Sequence, residues 1–375
     1  MLSFWERKHF LHYDLVVVGA GIVGLSTAIQ YKRKRPESSV LVLERGIFPS
    51  GASTKNAGFA CFGSFTEILD DLNTMSEKEV LELVSKRFQG LNAIRAEFGD
   101  MALGYEATGG FELFTKNELP HIGQMARINS LLLPLFGSEV FEETFSIEGF
   151  QFGKKVEAVV RNSFEGELDT GKFVTALWEK SQALGIRIVT GAKATSVDID
   201  RRMISVLDTA SNLPISFRAG QIAFCTNAFT REFLPELDIQ PGRGLVMVTK
   251  PITGGLPWKG SFHYDKGYVY FRQVDGRFLI GGGRNLDFLG ERTTESAINP
   301  KIRSYLIDLV NKVILPRKSW EIDMEWTGVM AFGQNKKPIV KLLNPHVGIA
   351  VRLGGMGVAI GWHTAGELVA LLDPS

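Results

Sequence analysis

Three glycine-rich stretches hold most of the chemistry legible in this chain. The first is Gly19-Ala20-Gly21-Ile22-Val23-Gly24, with an acid, Glu44, about 20 residues further on. In that pattern the first glycine permits a tight turn and the second lets backbone N–H groups approach a pyrophosphate. The third lets helix pack on strand, and the acid accepts ribose hydroxyls. The second stretch, Gly51-Ala52-Ser53-Thr54-Lys55-Asn56-Ala57-Gly58 followed by Phe59-Ala60-Cys61, offers Ser, Thr and N–H donors. From Ala57 to Phe62 it is too apolar for a flexible surface loop, so it can press its backbone against a large cofactor. The third, Gly354-Gly355-Met356-Gly357-Val358, lies near the other end of the chain and feeds a helix, making a second anion-facing site. A plain NAD-binding domain has no use for it. A cofactor longer than a mononucleotide does: one turn serves its pyrophosphate, another the negative charge that develops on its ring system.

The elements around these stretches fit that purpose. Asp14 to Val18 and Val40 to Leu43 read as strands buried on both faces, joined by a helix from Ile22 that ends at Lys32-Arg33-Lys34-Arg35-Pro36. Ser76 to Glu79 is a capping box opening a long helix closed by Gly99. Asn117 to Leu133 reads as helix, Lys172 to Leu184 likewise, and Gln221 to Cys225 as a buried strand leading into Thr226-Asn227-Ala228. From Arg243 to Pro338 the pattern alternates. Gly267 to Arg272 and Arg277 to Ile280 form a hairpin, and Asn299-Pro300 caps a helix. Val347 to Val351 is the strand before the third glycine stretch. The expected division is 1–75, 151–230 and 341–375 for the nucleotide-binding domain, with 76–150 and 231–340 as a second domain inserted into it.

With 375 residues and 45% hydrophobic content, the chain is long enough for two cores. A net charge of +1 with interspersed acids and bases favours neither nucleic acid nor an anionic membrane surface as partner. Two cysteines, Cys61 and Cys225, cannot build a disulfide framework, and the simplest reading is a reducing cytoplasm. No apolar run approaches the roughly 18–20 residues of a membrane span. Met1 to His12 sets Phe4, Trp5, Phe10 and Leu11 among charges without a signal-peptide core. It is expected to pack on the domain surface, with a peripheral membrane foot as the alternative. His9 and His12 have no third ligand nearby, and no metal is expected.

Taken together, the glycine turn with Glu44, the 51–58 loop, Cys225 to Ala228, Tyr268 to Arg272 with Asp275-Gly276-Arg277, Trp326-Thr327-Gly328 with Pro338, and the closing glycine loop resemble the FAD-dependent D-amino acid oxidase superfamily. Its members include glycine oxidase, sarcosine oxidase and γ-glutamylputrescine oxidase. The resemblance runs through nearly the whole chain. It implies an α/β fold with an α+β second domain: a Rossmann-like FAD-binding domain of the glutathione-reductase-like superfold, carrying an inserted mixed-sheet substrate domain. It implies FAD, held without a covalent bond, extended across the first domain and roofed by the second. Position by position, Gly19, Ala20, Gly21, Ile22, Val23 and Gly24 would line the pyrophosphate, Glu44 the adenosine ribose, and Arg45 and Ala194 the adenine. Ser53, Thr54, Asn56, Ala57 and Gly58 would line the phosphates and ribityl chain, and Phe59, Ala60 and Cys61 would approach the ring. Thr226 and Asn227 would close the cofactor site at the end of their strand, and Gly354 to Val358 would cover the pyrimidine edge.

For the substrate, the resemblance points to Tyr268, Tyr270 and Arg272, which alternate on one strand and would share a face. Such a trio could bind a carboxylate or align an amine. The alternative is cross-strand aromatic packing beside a surface arginine. Two positions depart from the family. Met330 stands where glycine-oxidase-like members carry a carboxylate-clamping arginine, leaving it as pocket wall, and Leu279 stands where sarcosine-oxidase-like members carry a lysine promoting reaction with O₂. The implied reaction is oxidation of a C–N bond in a small amine or amino acid. Hydride passes to flavin N5, and the imine hydrolyses. The acceptor is O₂ or a quinone. A 2-hydroxy acid dehydrogenase feeding a quinone, and a flavin-binding protein without catalysis, stay open as alternatives.

Overall fold

The computed structural model describes residues 1–144, 146–208 and 211–374. The chain divides into two compact units: Met1–Thr54, Gly171–Pro241 and Met330–Ser375 form the first, Lys55–Thr170 and Gly242–Val329 the second.

In the first unit a sheet runs in the order Ile339–Asn344, Val347–Val351, Leu213–Phe224, His12–Val18, Val40–Leu43, Arg187–Val189. The last five of these strands are mutually parallel. The β-branched run explains the centre of this sheet: Leu15, Val16 and Val17 are fully buried, and so are Leu41 and Val42. Because the strands are parallel, the chain leaves Val18, Leu43, Phe224 and Val351 along one edge. Ligand sites of open α/β sheets form at such an edge. Two helices, Ile22–Lys34 and Gly357–Leu372, pack together on the sheet. Gly361 permits this contact, since a Cβ there would lie 2.8 Å from Ile22 Cγ2.

The second unit is built on an eight-stranded mixed sheet, ordered Ile322–Phe332, Gln240–Thr249, Arg277–Gly282, Val269–Val274, Ser261–Tyr264, Gly110–Phe114, Ala158–Asn162, Phe141–Glu143. One face is packed under the helix Pro300–Leu309. There Phe262, Phe271, Phe278 and Ile280 meet Ile302, Leu306 and Leu309, and the rings of Phe262 and Phe271 stack at 5.0 Å. A separate core forms where the capped helix Glu77–Phe98 brings Val80 and Val84 to Phe62, Phe65, Phe114 and Phe141.

The structure differs from the sequence reading in places that have local causes. Residues 55–75 and 151–170 belong to the second unit. Long-range pairing draws them there: Phe59–Ala60 pairs with Gly166–Glu167, and Asn56 Oδ1 accepts from Thr170 Oγ1 at 2.9 Å. Residues 231–241 and 330–340 belong to the first unit. The segment expected as one helix from Asn117 is a 3₁₀ turn, Leu119–Gln124, followed by the helix Met125–Phe136. Met1 to His12 lies against the first unit, where Arg187 Nη1 donates to His9 O at 3.2 Å and the guanidinium sits 5.0 Å from the Phe10 ring centre, but it does so as a short exposed helix. Ser3 and Glu6 form a capping box that starts the helix Phe4–His9, in which no residue is buried.

Candidate cofactor and substrate sites

In the first unit the glycine turn is sterically closed to side chains. Gly19 sits at φ +103°, and a Cβ on it would meet the Cys225 carbonyl oxygen at 2.8 Å. A Cβ on Gly24 would lie 1.8 Å from the Gly19 oxygen, and one on Gly21 would lie 2.8 Å from Ser53 Oγ. Gly21 is the N-cap of Ile22–Lys34 and supplies no side-chain cap. Ser53 Oγ takes one of the helix's leading N–H groups, that of Ile22, at 2.9 Å. Buried Glu44 accepts from Ala20 N–H at 3.0 Å with one oxygen and from Gly46 N–H at 2.9 Å with the other. It therefore braces the turn and still presents lone pairs at the sheet edge. Thr54 turns its hydroxyl to the Pro49 carbonyl at 2.7 Å.

The closing glycine loop lies in the same unit. Gly354 and Gly355 adopt φ +58° and +87°, and a Cβ on Gly354 or Gly357 would meet nothing within 4 Å. The helix that follows, Gly357–Leu372, also starts without a side-chain cap. Two helices packed side by side thus begin after glycine turns with no cap from their own N-cap side chains, a pair of partial positive charges, the first of which has its Ile22 N–H taken by Ser53. Val358 is buried behind the loop, and Met330 Sδ stands 3.6 Å from where a Gly355 Cβ would be. The loop is anchored by Arg352, whose guanidinium donates to Asp238, Asn335 and Lys337, while its N–H reaches Asn227 Oδ1 at 3.1 Å. Arg352 and Asn227 both hold positive φ, 65° and 48°, a backbone state maintained by these bonds. Thr226 Oγ1 pairs with Thr230 Oγ1 at 2.8 Å. Ala194 is buried at the start of Ala194–Asp198, and the Arg45 guanidinium lies 3.5 Å from the Phe229 ring centre.

In the second unit Asn56, Ala57 and Gly58 are tied down from several directions. Asn56 Oδ1 accepts from Gly58 N–H at 2.8 Å, and Gly58 has φ +74° with the Leu168 carbonyl at 2.3 Å from any Cβ. Arg272 completes the clamp. Its Nη1 donates to the Gly58 and Leu168 carbonyls, both at 2.9 Å, and to Ala57 O at 3.3 Å. Its Nε is 2.8 Å from Glu167 Oε2. Glu167 in turn accepts from Thr108 Oγ1 and from Gly260 N–H. The guanidinium is thus committed to the protein's own backbone and acid.

Tyr270 and Arg272 do share a face of Val269–Val274. The register places Arg272 opposite Leu279 and Tyr270 opposite Gly281, whose missing side chain leaves room for the tyrosine ring. Val246, Val248, Leu279, Tyr270, Val274, Ala57 and Trp326 form an apolar cluster on this side. Phe59 adds its ring edge-on to Tyr270 at 5.6 Å, and Ala60 is buried in the strand pair beside it. Burial pushes the Tyr270 phenol up to about 12, keeping it a neutral donor. Tyr268 lies outside the strand, after the left-handed residues Asp265, Lys266 and Gly267, and its ring meets Phe288 at 5.9 Å. Trp326 donates Nε1–H to Lys55 O at 3.1 Å, and Gly328 faces the Lys55 side chain, which explains the spacing of that Trp-x-Gly pair.

One buried group of titratable residues was not foreseen. His263, Glu165 and Cys61 lie together in the second unit, 5%, 1% and 6% exposed. Glu165 accepts from Phe62 N–H at 3.0 Å and Gly63 N–H at 3.3 Å, and its other oxygen is 3.7 Å from His263 Nε2. Glu112, buried with donors from Ser64 and Thr66, also bears on the imidazole. Burial alone would lower the His263 pKa, but the Cys61 thiol and the Glu165 carboxylate hold it well above the ordinary imidazole value. A raised histidine stabilises the fold fully below its unfolded value of about 6.5, and the contribution disappears as pH rises through the folded value. His263→Gln should therefore lower the urea midpoint most in mild acid, the difference from wild type shrinking towards alkaline pH. A midpoint difference that does not change with pH would mean the imidazole titrates alike in the folded and unfolded chains, and one that changes in the opposite direction would mean it is buried neutral.

Glu167, Glu165, His263 and Arg352 are the residues that sequence reasoning passed over. Each works through partners remote in the chain, and Gly166-Glu167-Leu168 on its own reads only as a turn. Comparison with known proteins fits the geometry. The sequence profile of the FAD dependent oxidoreductase family (DAO) matches residues 14–371. The bifunctional protein ThiO/ThiG of Synechocystis sp. is 22% identical over 339 residues, 87% of this chain but 46% of that protein, so the chain spans about half of that relative's length. The probable oxidoreductase OrdL of Haemophilus influenzae is 22% identical over 376 residues, 96% of this chain and 82% of that one. Among solved structures, glycine oxidase from Geobacillus kaustophilus superposes with a TM-score of 0.76 at 16% identity, covering 97% of this chain and 95% of that chain.

Proposed function

This chain belongs to the family of FAD dependent oxidoreductases, and from that premise we propose that it oxidises a carbon–nitrogen bond of a small amine or amino acid to an imine, which water then hydrolyses. The observation that carries this reading is the pair of helix N-termini whose own N-cap residues offer no side-chain cap, each preceded by a glycine turn, side by side in the first unit. The donor set suits FAD: open N–H groups for a pyrophosphate, an acid at the end of the second strand for ribose hydroxyls, and a second positive helix end for the ring's pyrimidine edge. The first unit is the cofactor domain in this reading and the second bears the substrate.

Bound FAD would supply the acceptor for the electron pair that leaves the substrate's α-carbon. The chain's own part is to hold and exclude. Ala57, Leu279, Val246, Val248 and Trp326 give the amine-bearing carbon an apolar wall that keeps water out, and the Tyr270 hydroxyl donates to a polar atom of the substrate. Arg272 acts as a positioning residue for the 57–58 backbone, since its guanidinium is already paired. Met330 beside Gly355 is an uncharged wall where a carboxylate clamp would need a cation. We therefore favour an amine without an α-carboxylate, as in the γ-glutamylputrescine-oxidase-like branch. Cys61 and Cys225 are buried, and burial pushes the Cys225 thiol up to about 12, against a role in covalent flavin attachment.

The test is anaerobic. The yellow protein is mixed singly with amines, D- and L-amino acids and 2-hydroxy acids, and bleaching by an amine class is expected. Readmitting air then separates use of O₂ from transfer to another acceptor such as a quinone. Acid precipitation should leave the flavin in the supernatant. Tyr270→Phe should lower kcat/KM about tenfold, the size of one hydrogen bond in the transition state. Met330→Arg should move preference towards α-amino acids. Bleaching by hydroxy acids alone, or best turnover with α-amino acids in the wild type, would overturn the substrate assignment.

A further inference from the structure

The helix Phe4–His9 buries no residue, yet Phe4 is 67% and Trp5 65% exposed, and Phe10 just beyond is 51% exposed. The register of the first unit's sheet extends this patch. His12 pairs with Arg218, while the strand Leu213–Phe224 and its antiparallel neighbour Met203–Asp208 continue past that point, bringing exposed Leu207 and Leu213 to the same end. Asp208 on this hairpin acts weakly on Glu6 of the helix through its charge. This is the edge from which the parallel strands start, opposite the glycine turns.

Charges of both signs border the patch. Its acids are folded back onto the protein: Glu6 caps Ser3 N–H at 2.6 Å, Asp14 accepts from Ser39 N–H and Oγ, and Asp208 accepts from Ser211 N–H. Cations lie against the aromatic rings, with Lys8 Nζ 5.9 Å from the Phe4 centre and the Arg187 guanidinium 5.0 Å from that of Phe10 while it donates to His9 O and the Tyr13 hydroxyl, and Arg7 is exposed. We propose that this end of the first unit docks on an anionic lipid bilayer. Aromatic rings flanked by Lys and Arg suit the headgroup boundary, where rings insert shallowly and cations meet lipid phosphates. A helix of 6 residues, about 9 Å long, offers a shallow foothold. It suffices for weak, reversible attachment to a surface. The near-zero net charge of the whole chain does not oppose this, because screening confines the interaction to charges within about 10 Å of the bilayer.

The experiment is co-sedimentation of the full flavin-loaded chain with vesicles of phosphatidylcholine, alone or with a minority of phosphatidylglycerol, at low and high salt. Binding is expected to the anionic vesicles, weakening as salt rises. Phe4→Ser with Trp5→Ser should lower it by about tenfold or more per ring, Leu207→Ser by less, and Arg7→Glu with Lys8→Glu should abolish the preference for phosphatidylglycerol. All these side chains are exposed, so circular dichroism and flavin content should stay at wild-type values, which keeps the test independent of the oxidoreductase reading. No pelleting with either vesicle, or equal pelleting of wild type and all variants, would overturn the proposal. So would a solution dimer, seen by light scattering, that Trp5→Ser dissociates, since the patch would then belong to a second copy.

Discussion

Gly24→Ala is expected to yield a chain that binds no FAD and unfolds at lower urea. The added Cβ would sit 1.8 Å from the Gly19 carbonyl oxygen and 3.0 Å from its carbon, and both are backbone atoms that cannot rotate aside. Relief requires the turn at Gly19 to open or the helix Ile22–Lys34 to shift away from the strand before it. Either movement spreads the N–H groups that the pyrophosphate would need in one place. Overpacking of this kind costs about 1–3 kcal/mol in a well-packed site, and a backbone obstacle puts Gly24 at the upper end. The check is flavin absorbance per chain after dialysis against excess FAD, together with the urea midpoint. Gly51→Ala is the control, because a Cβ there meets nothing within 4 Å, and it should keep both values. If Gly24→Ala retained full flavin and an unchanged midpoint, the turn would not be the cradle described above.

Arg272→Met should cost about 3–5 kcal/mol of stability, the range for stripping one partner from a buried ion pair. Arg272 is 8% and Glu167 6% exposed. Without the guanidinium, the carboxylate keeps only its bonds from Thr108 and Gly260, and the Gly58 and Leu168 carbonyls lose a donor they share. Replacing both members, Arg272→Met with Glu167→Met, should recover much of the loss, because no uncompensated charge then stays buried. Arg272→Lys should recover little, since a single ammonium cannot reproduce the fork that meets an acid and three carbonyls together. Urea unfolding decides the stability claim and steady-state kinetics the functional one. A variant with wild-type stability and a raised KM would return Arg272 to direct substrate binding and remove it as the anchor of the 57–58 backbone.

These two residues mark how far the sequence reaches. The turn built by Gly19, Gly21, Gly24 and Glu44 was legible because its geometry is local: strand, turn and helix follow one another, and their spacing fixes who meets whom. The Ser76 capping box, the hairpin across Asp275-Gly276 and the helix after Gly354 to Gly357 were legible for the same reason, since each depends on neighbours within a few residues. Arg272 read as a candidate substrate contact because alternation on a strand sets its face but says nothing about what else comes to that face. Glu167, more than a hundred positions earlier, arrives there only through the pairing of Phe59–Ala60 with Gly166–Glu167. His263 and Glu165 meet in the same way, and so do Arg352 and Asp238.

The sequence by itself determined the glycine turns, the fold class and the elements that carry them, because backbone conformation and hydrophobic period are properties of short segments. Tertiary structure alone decided which charged side chains are spoken for and which rings lie open, because burial and ion pairing depend on segments brought together by folding rather than by order along the chain.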